Sequence, residues 1–257
     1  MSNRKLILVT NDDGYSSEGI AVLTQMVRPL GDVVVVAPET AQSGMSHAIT
    51  SARALHVQHR QSESGYEVYS VDGTPVDCIK VAMNHLKLRQ PDLVVSGINH
   101  GSNSSVSALY SGTIGAAMEG CMYNMPSIGF SHLDYSPHPD FGAALRYAPA
   151  IIGHVLEHGL PLGSCLNVNL PNLPLEQVRG VRVARQCNGL WHEEFDVRTG
   201  ADGRTELWLG GRFENLEPNA PDTDEYLLSQ GYITVVPLQA DLTMHTAIDA
   251  IKILEVN

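Results

Sequence analysis

Three uninterrupted apolar runs constrain this chain more than any other feature: residues 6–9 (Leu-Ile-Leu-Val), 33–37 (Val-Val-Val-Val-Ala) and 93–95 (Leu-Val-Val). None alternates with polar residues, which is the pattern of strands buried on both faces of a parallel sheet. Between the first two, Ile20, Leu23 and Val27 recur at helical spacing, and residues 29–32 close the segment. Strand, helix, strand is the βαβ opening of such a sheet. The first crossover has no Gly-x-Gly-x-x-Gly, so the dinucleotide-binding fingerprint is absent.

Each run gives way to a polar, glycine-rich loop. Asn11, Asp12, Asp13 and Gly14 come after the first, at the carboxyl end where open α/β sheets place their ligands. Adjacent carboxylates repel, and burying them without a cation is costly. The same four residues are also good turn formers. Ser43 and Gly44 lie beyond the second run, and Gly97, Asn99 and Asn103 beyond the third. Ser111, Gly112 and Thr113 precede an Ala-, Met- and Glu-rich helix over 114–123 and resemble a small anion-binding nest, ordinary N-capping being the alternative. The three loops 11–14, 42–44 and 97–113 are therefore expected to converge. They gather carboxylates, hydroxyls and amides, an oxygen-rich set that suits Mg²⁺, Mn²⁺ or Ca²⁺ better than structural Zn²⁺. A hard cation beside a hydroxyl-rich helix start is equipment for phosphoryl chemistry. His47 and His100 sit in these loops and are assigned to local structure.

Further along, residues 48–72 read as a β-hairpin excursion turning at 61–65. Thr74, Pro75 and Asp77 open a helix that runs to about Leu88. A strand is expected at 126–130, a long helix at 141–158, and a strand at 165–170 with Asn167 and Asn169 on one face. After Pro171 the pattern changes to short alternating strands at 180–184, 194–198 and 205–209, with a turn at 200–203. Trp191 and Trp208 in that region are assigned to packing or subunit contact. A short helix capped at 221–225, a strand at 231–236 bounded by Pro237, and a terminal helix after 241–246 complete the chain; Asp241 and His245 there are assigned to capping, packing or a subunit contact.

The fold class expected is α/β, a Rossmann-like, mostly parallel sheet with flanking helices in three α/β/α layers, plus a C-terminal extension with a projecting β-hairpin. Residues 1–135 form the catalytic core in this reading. Residues 136–257 complete it and carry an oligomerisation hairpin near 190–212 and the terminal helix.

Composition narrows the function. The net charge of −12 over 257 residues, with no basic block, argues against polymeric nucleic acid or an anionic membrane as partner. Four widely spaced cysteines, Cys78, Cys121, Cys165 and Cys187, read as buried thiols in a reducing compartment. With no room for a signal peptide before the first strand and no membrane-length apolar run, the expected location is cytoplasmic. Gly-x-Ser-x-Gly, a Walker lysine and His-Glu-x-x-His are all missing.

The motifs Thr10-Asn-Asp-Asp-Gly-Tyr15, Gln42-Ser-Gly44, Pro91-Asp-Leu-Val-Val-Ser-Gly-Ile-Asn99, Tyr110-Ser-Gly-Thr113 and Asp241-Leu-Thr243 occur in order over nearly the whole chain. Jointly they resemble the SurE family of survival-protein 5'-nucleotidases. The resemblance implies a metal-dependent phosphomonoesterase hydrolysing nucleoside 5'-monophosphates, and in some relatives 3'-monophosphates. It implies that Asp12, Asp13, Ser43 and Asn99 hold one divalent cation per subunit, Mg²⁺ or Mn²⁺, and that Asn103, Ser111, Gly112 and Thr113 hold phosphate. It also implies a homodimer or homotetramer. One stretch departs: residues 104–109 read Ser-Ser-Val-Ser-Ala-Leu where many relatives carry a glycine and acids. The mechanism expected is direct hydrolysis, with a water oriented by Asp12 or Asp13 attacking phosphorus in line. A covalent aspartyl-phosphate intermediate, or a non-enzymatic metal- or nucleotide-binding regulator, are the alternatives.

Overall fold

A computed structural model describes residues 4–136 and 138–256. The first strand, β1 (Lys5–Thr10), is followed by helix α1 (Glu18–Val27) and β2 (Gly31–Pro38). Next come β3 (Val57–Glu63), β4 (Tyr66–Val71), α2 (Pro75–Asn84) and β5 (Leu93–His100). Helix α3 (Gly112–Met122), β6 (Ser127–His132), α4 (Gly142–His158) and β7 (Ser164–Leu170) follow. The remainder comprises β8 (Val181–Val183), β9 (Gly189–Thr199), β10 (Thr205–Asn215), α5 (Asp224–Ser229) and β11 (Ile233–Gln239).

Nine strands form one sheet in the order β3-β4-β2-β1-β5-β6-β7-β11-β8. From β4 through β7 every pairing is parallel, while β3 and β11 pair antiparallel with β4 and β7. The three continuous runs are the central strands, and Ile7, Leu8, Val9, Val36, Leu93, Val94 and Val95 are sealed from solvent. Two apolar cores confirm the layers. One packs Ile20, Leu23 and Val27 of α1 and Ile152 of α4 against one face; the other packs Cys78, Ile79 and Ala82 of α2 and Ala116 of α3 against the opposite face. Strand β1 lies between β2 and β5, so the chain leaves the sheet's centre in opposite directions. That makes the carboxyl ends of β1 and β5 the topological switch point, the crevice where such sheets bind ligands.

Several expectations are adjusted. The hairpin at 57–71 is not an excursion, because β4 joins β2 in parallel and extends the main sheet. Helix α2 stops at Asn84, four residues short of the expected end. Pro237 falls inside β11 rather than bounding it. Its missing N–H is tolerated there because β8 pairs only with Ile233–Val235, leaving that side of the strand open. The strands expected at 194–198 and 205–209 are parts of two eleven-residue strands, β9 and β10, paired only with each other. Beyond Thr246 the expected terminal helix is a succession of single helical turns. All four cysteines are buried free thiols. Among the described residues no helix is long and apolar enough to cross a membrane.

Candidate functional site

At the switch point the chain turns out of β1 through an Asn-based clamp. The Asn11 side-chain N–H donates to the Gly14 carbonyl at 2.9 Å and to Ser17 Oγ at 2.8 Å, while the Gly14 N–H donates back to Asn11 Oδ1 at 3.2 Å. Gly14 has φ +101°, a conformation that glycine adopts without penalty. With Asn11 used in this way, the next two residues, both carboxylates, are free for other work.

Asp12 is 4% exposed, and Asp13 is half-buried. The Thr113 hydroxyl donates to Asp12 Oδ1 at 2.5 Å, and the His100 backbone N–H donates to Asp13 Oδ2 at 3.3 Å. Burial, reinforced by the neighbouring Asp13 charge, pushes the Asp12 carboxyl up to about 6 despite the Thr113 bond. Burial likewise raises Asp13. Helix α3 comes close enough for the Thr113 contact because residue 112 has no side chain: a Cβ there would lie 2.9 Å from Asp12 Cβ.

The second loop is tied to the first and third. The Gln42 N–H donates to the Asp12 carbonyl at 2.7 Å, and the Ser46 N–H donates to the Tyr110 carbonyl at 3.0 Å. His47 has the structural role expected of it, with Nε2 2.8 Å from Oε2 of Glu119, whose other oxygen takes Lys80 Nζ at 2.5 Å. Opposite charge and these hydrogen bonds hold Glu119 below the ordinary carboxylate range, although burial works against them.

The third loop brings the amides. The Asn99 side-chain N–H donates to the Gly101 carbonyl at 2.8 Å, which leaves its Oδ1 as the available group. Asn103 is buried and held from several sides. It donates through Nδ2 to Ser131 Oγ at 2.7 Å and through its backbone N–H to Asn169 Oδ1 at 2.9 Å, while its carbonyl accepts from Asn167 Nδ2 at 2.8 Å. Asn167 and Asn169, read from the sequence only as one face of a strand, thus fix Asn103 from β7.

Asp12, Ser43, Asn99, His100, Ser102, Asn103 and Ser111 line one open cavity of about 200 Å³. Ser111 caps α3, accepting the Ile114 N–H at 3.1 Å, which is the N-capping alternative, and it also lines the cavity. The first N–H groups of α3, of Gly112 and Thr113, have no partner within the helix and sit at its positive end. Thr113's hydroxyl is directed to Asp12, so its backbone is what it offers an anion. Trp191, from the root of the projecting hairpin, forms part of the cavity wall. It packs edge-on against Phe213 and donates to Ser107 Oγ at 3.1 Å, so the packing role is joined by a place at the site. Trp208 stays exposed, with the Arg198 guanidinium over its ring. Asp241 and His245 pair with each other at 2.8 Å on the surface.

The donor set fits a hard divalent cation. Two neighbouring carboxylates, one of them almost fully buried, need positive charge to ionise together, and neutral oxygens of Ser43 and Asn99 complete an all-oxygen environment. Among the described residues no group of three or more His, Cys, Asp or Glu side chains is placed to hold a metal ion, so the set depends on these neutral donors.

An α/β sheet with paired acids, amide oxygens and a helix start at its switch point defines a phosphate-handling class of protein. The comparisons give the family. The model of the survival protein SurE matches residues 7–193. The chain is 49% identical over 248 residues to the 5'-nucleotidase SurE of Christiangramia forsetii, covering 95% of each chain. It is 47% identical over 244 residues to that of Cytophaga hutchinsonii, covering 95% of this chain and 94% of that one. Among solved structures, the SurE protein from Aquifex aeolicus superposes with a TM-score of 0.81 at 36% identity, covering 98% of this chain and 100% of that chain. The chain belongs to the SurE family.

Proposed function

We propose that this chain is a divalent-metal-dependent phosphomonoesterase that hydrolyses nucleoside 5'-monophosphates to nucleoside and phosphate. The observation that carries the reading is the meeting of Asp12, Ser43, Asn99, Asn103 and Ser111 in one cavity at the switch point. It is supported by the relatives' name, 5'-nucleotidase, at nearly half identity over the whole chain.

In this reading Asp12, Asp13, Ser43 and Asn99 hold one Mg²⁺ or Mn²⁺ ion. When bound, the cation polarises a phosphate oxygen and lowers the pKa of water. Asn103 and the Gly112 and Thr113 N–H groups hold the equatorial oxygens, where charge builds as the phosphoryl group transfers. Asp13, more open than Asp12, orients the attacking water, while Thr113 fixes the rotamer of Asp12. Both nucleotide class and oligomeric state follow the family: a homodimer or homotetramer is proposed, supported by exposed Leu242, Met244, Ile251 and Ile253 in the terminal segment.

Phosphate release from a panel of nucleoside 5'- and 3'-monophosphates is the test, after EDTA treatment and with Mn²⁺, Mg²⁺, Ca²⁺ or Zn²⁺ returned singly. Activity that disappears on stripping and returns with Mn²⁺ or Mg²⁺ supports the proposal. A folded, metal-loaded protein that binds nucleotides without consuming them turns the reading to a regulator.

A further inference from the structure

The departing stretch after Asn103 makes a run of hydrogen bonds that holding phosphate does not require. Ser102 lines the cavity, and its Oγ lies 2.5 Å from Oγ of Ser104. The Ser104 N–H also donates to Ser102 Oγ at 3.1 Å, fixing that hydroxyl. Ser104 is 2% exposed, and its hydroxyl bonds Oε1 of Glu225, in the first turn of α5. Two hydroxyls thus connect the cavity to a carboxyl group from the opposite end of the sequence.

The carboxyl is held in place. Its neighbour Asp224 is fully buried and accepts the N–H groups of Cys187 and Glu225 on Oδ1, at 2.8 and 2.9 Å, and that of Ser105 on Oδ2 at 2.8 Å. Those bonds fix α5 against the loop that carries Ser102 and Ser104. Burial pushes Glu225 above its ordinary value, Asp224 adds to the rise, and the Ser104 hydroxyl opposes it.

The chain of bonds has two orientations. With Glu225 ionised, Ser104 donates to it and Ser102 donates to Ser104, so both protons point inward. With Glu225 protonated, it donates to Ser104 and Ser104 donates to Ser102. Since Ser102 Oγ then accepts from both the hydroxyl and the N–H of Ser104, its own proton points into the cavity. Only the second orientation presents an acid to a bound ester.

We propose that Glu225 supplies, through Ser104 and Ser102, the proton taken up by the leaving nucleoside oxygen. The inference rests on the phosphomonoesterase reading. As water oxygen bonds to phosphorus, the P–O bond to the nucleoside breaks and its electron pair stays on the departing oxygen. Ser102 Oγ gives that oxygen a proton and is refilled by Ser104, which is refilled by Glu225. Glu225 is left as carboxylate and regains a proton from solvent, matching the one released by the attacking water. Ser102 touches the substrate; Ser104 and Glu225 act through it.

Leaving-group chemistry separates this role from a structural one. A nucleoside alkoxide needs a proton to depart, whereas p-nitrophenolate does not. Glu225→Gln keeps the size of the side chain and still accepts from Ser104. It is expected to lower kcat on a nucleoside 5'-monophosphate by about 10²-fold or more, the usual worth of general acid catalysis, and on p-nitrophenyl phosphate by no more than about threefold. Ser104→Ala should show the same selectivity, at saturating Mn²⁺, with circular dichroism verifying the fold. Equal losses on both esters, or none on either, from variants of an active protein overturn the relay alone. A folded wild-type protein that hydrolyses neither ester overturns the phosphomonoesterase reading, and the relay with it.

Discussion

Asp12→Asn should stabilise the metal-free protein while abolishing most of its activity. Asp12 is almost completely buried, and its carboxyl is displaced from 3.8 to about 6 chiefly by that burial. A displacement of that size corresponds to about 3 kcal/mol. The folded state then binds more protons than the unfolded state between the two values. Stability is therefore fully retained below about 4 and declines as pH rises through the unfolded value toward about 6. Above that window the metal-free wild type carries the whole penalty. Asparagine is neutral, nearly isosteric, and still accepts the Thr113 hydroxyl through Oδ1, so the variant escapes it. Urea unfolding of EDTA-treated protein should show the variant ahead by up to about 3 kcal/mol at pH 7.5 and little different at pH 4. Saturating Mn²⁺ should narrow that gap by at least about 1.4 kcal/mol, because the ion binds the folded wild type at least about 10-fold more tightly than the variant and stabilises it more by mass action. Turnover should fall by about 10²-fold or more through lost electrostatic stabilisation. A metal-free variant no more stable than wild type at pH 7.5 would mean that burial of an ionised Asp12 costs nothing, contrary to this prediction.

Other outcomes rest on the same geometry. Gly112→Ala places a Cβ 2.9 Å from Asp12 Cβ and 3.0 Å from Pro75 Cγ. It should cost about 1–3 kcal/mol in thermal or urea unfolding. Its kcat should fall alongside, because α3 must retreat from the carboxylate it orients. Asn169→Leu removes the acceptor of the Asn103 N–H and the partner of Asn167, 2.8 Å away. Leaving those buried groups unpaired should cost about 1–3 kcal/mol. Steady-state kinetics should show a raised KM for phosphate esters, and inhibition by inorganic phosphate should weaken with it.

The parts of this molecule that are readable in the sequence are those whose signal is local. Residues 6–9 and 33–37 declare buried parallel strands because nothing polar interrupts them, whereas the switch point depends on β5 pairing with β1 on the side away from β2. Asp12, Asp13, Ser43 and Asn99 are legible from their places just beyond the strands, together with the family resemblance. The structure brings Asp12, Ser43 and Asn99 to one cavity and Asp13 to its border through His100. Asn167, Asn169 and Glu225 carry no such signal. Each reaches the site from an element far along the chain, and only the pairing of β7 with β6 and the anchoring of α5 through Asp224 bring them there. Trp191 is hidden for a related reason, since its place on the cavity wall depends on where the hairpin joins the body. The length of that hairpin is equally obscure. Both its faces are largely exposed, so no alternation of buried and exposed residues marks the ends of β9 and β10.

The most direct test of the central claim is Mn²⁺ titration of the EDTA-stripped protein by calorimetry, with Asp12→Asn, Ser43→Ala and Asn99→Ala measured beside it. The expected result is one ion per subunit in the wild type and affinity lowered by at least about 10-fold in each variant, roughly 1.4 kcal/mol or more per lost ligand. Wild-type affinity in all three variants, or Mn²⁺ bound with wild-type affinity after all three substitutions are combined, would place the metal elsewhere.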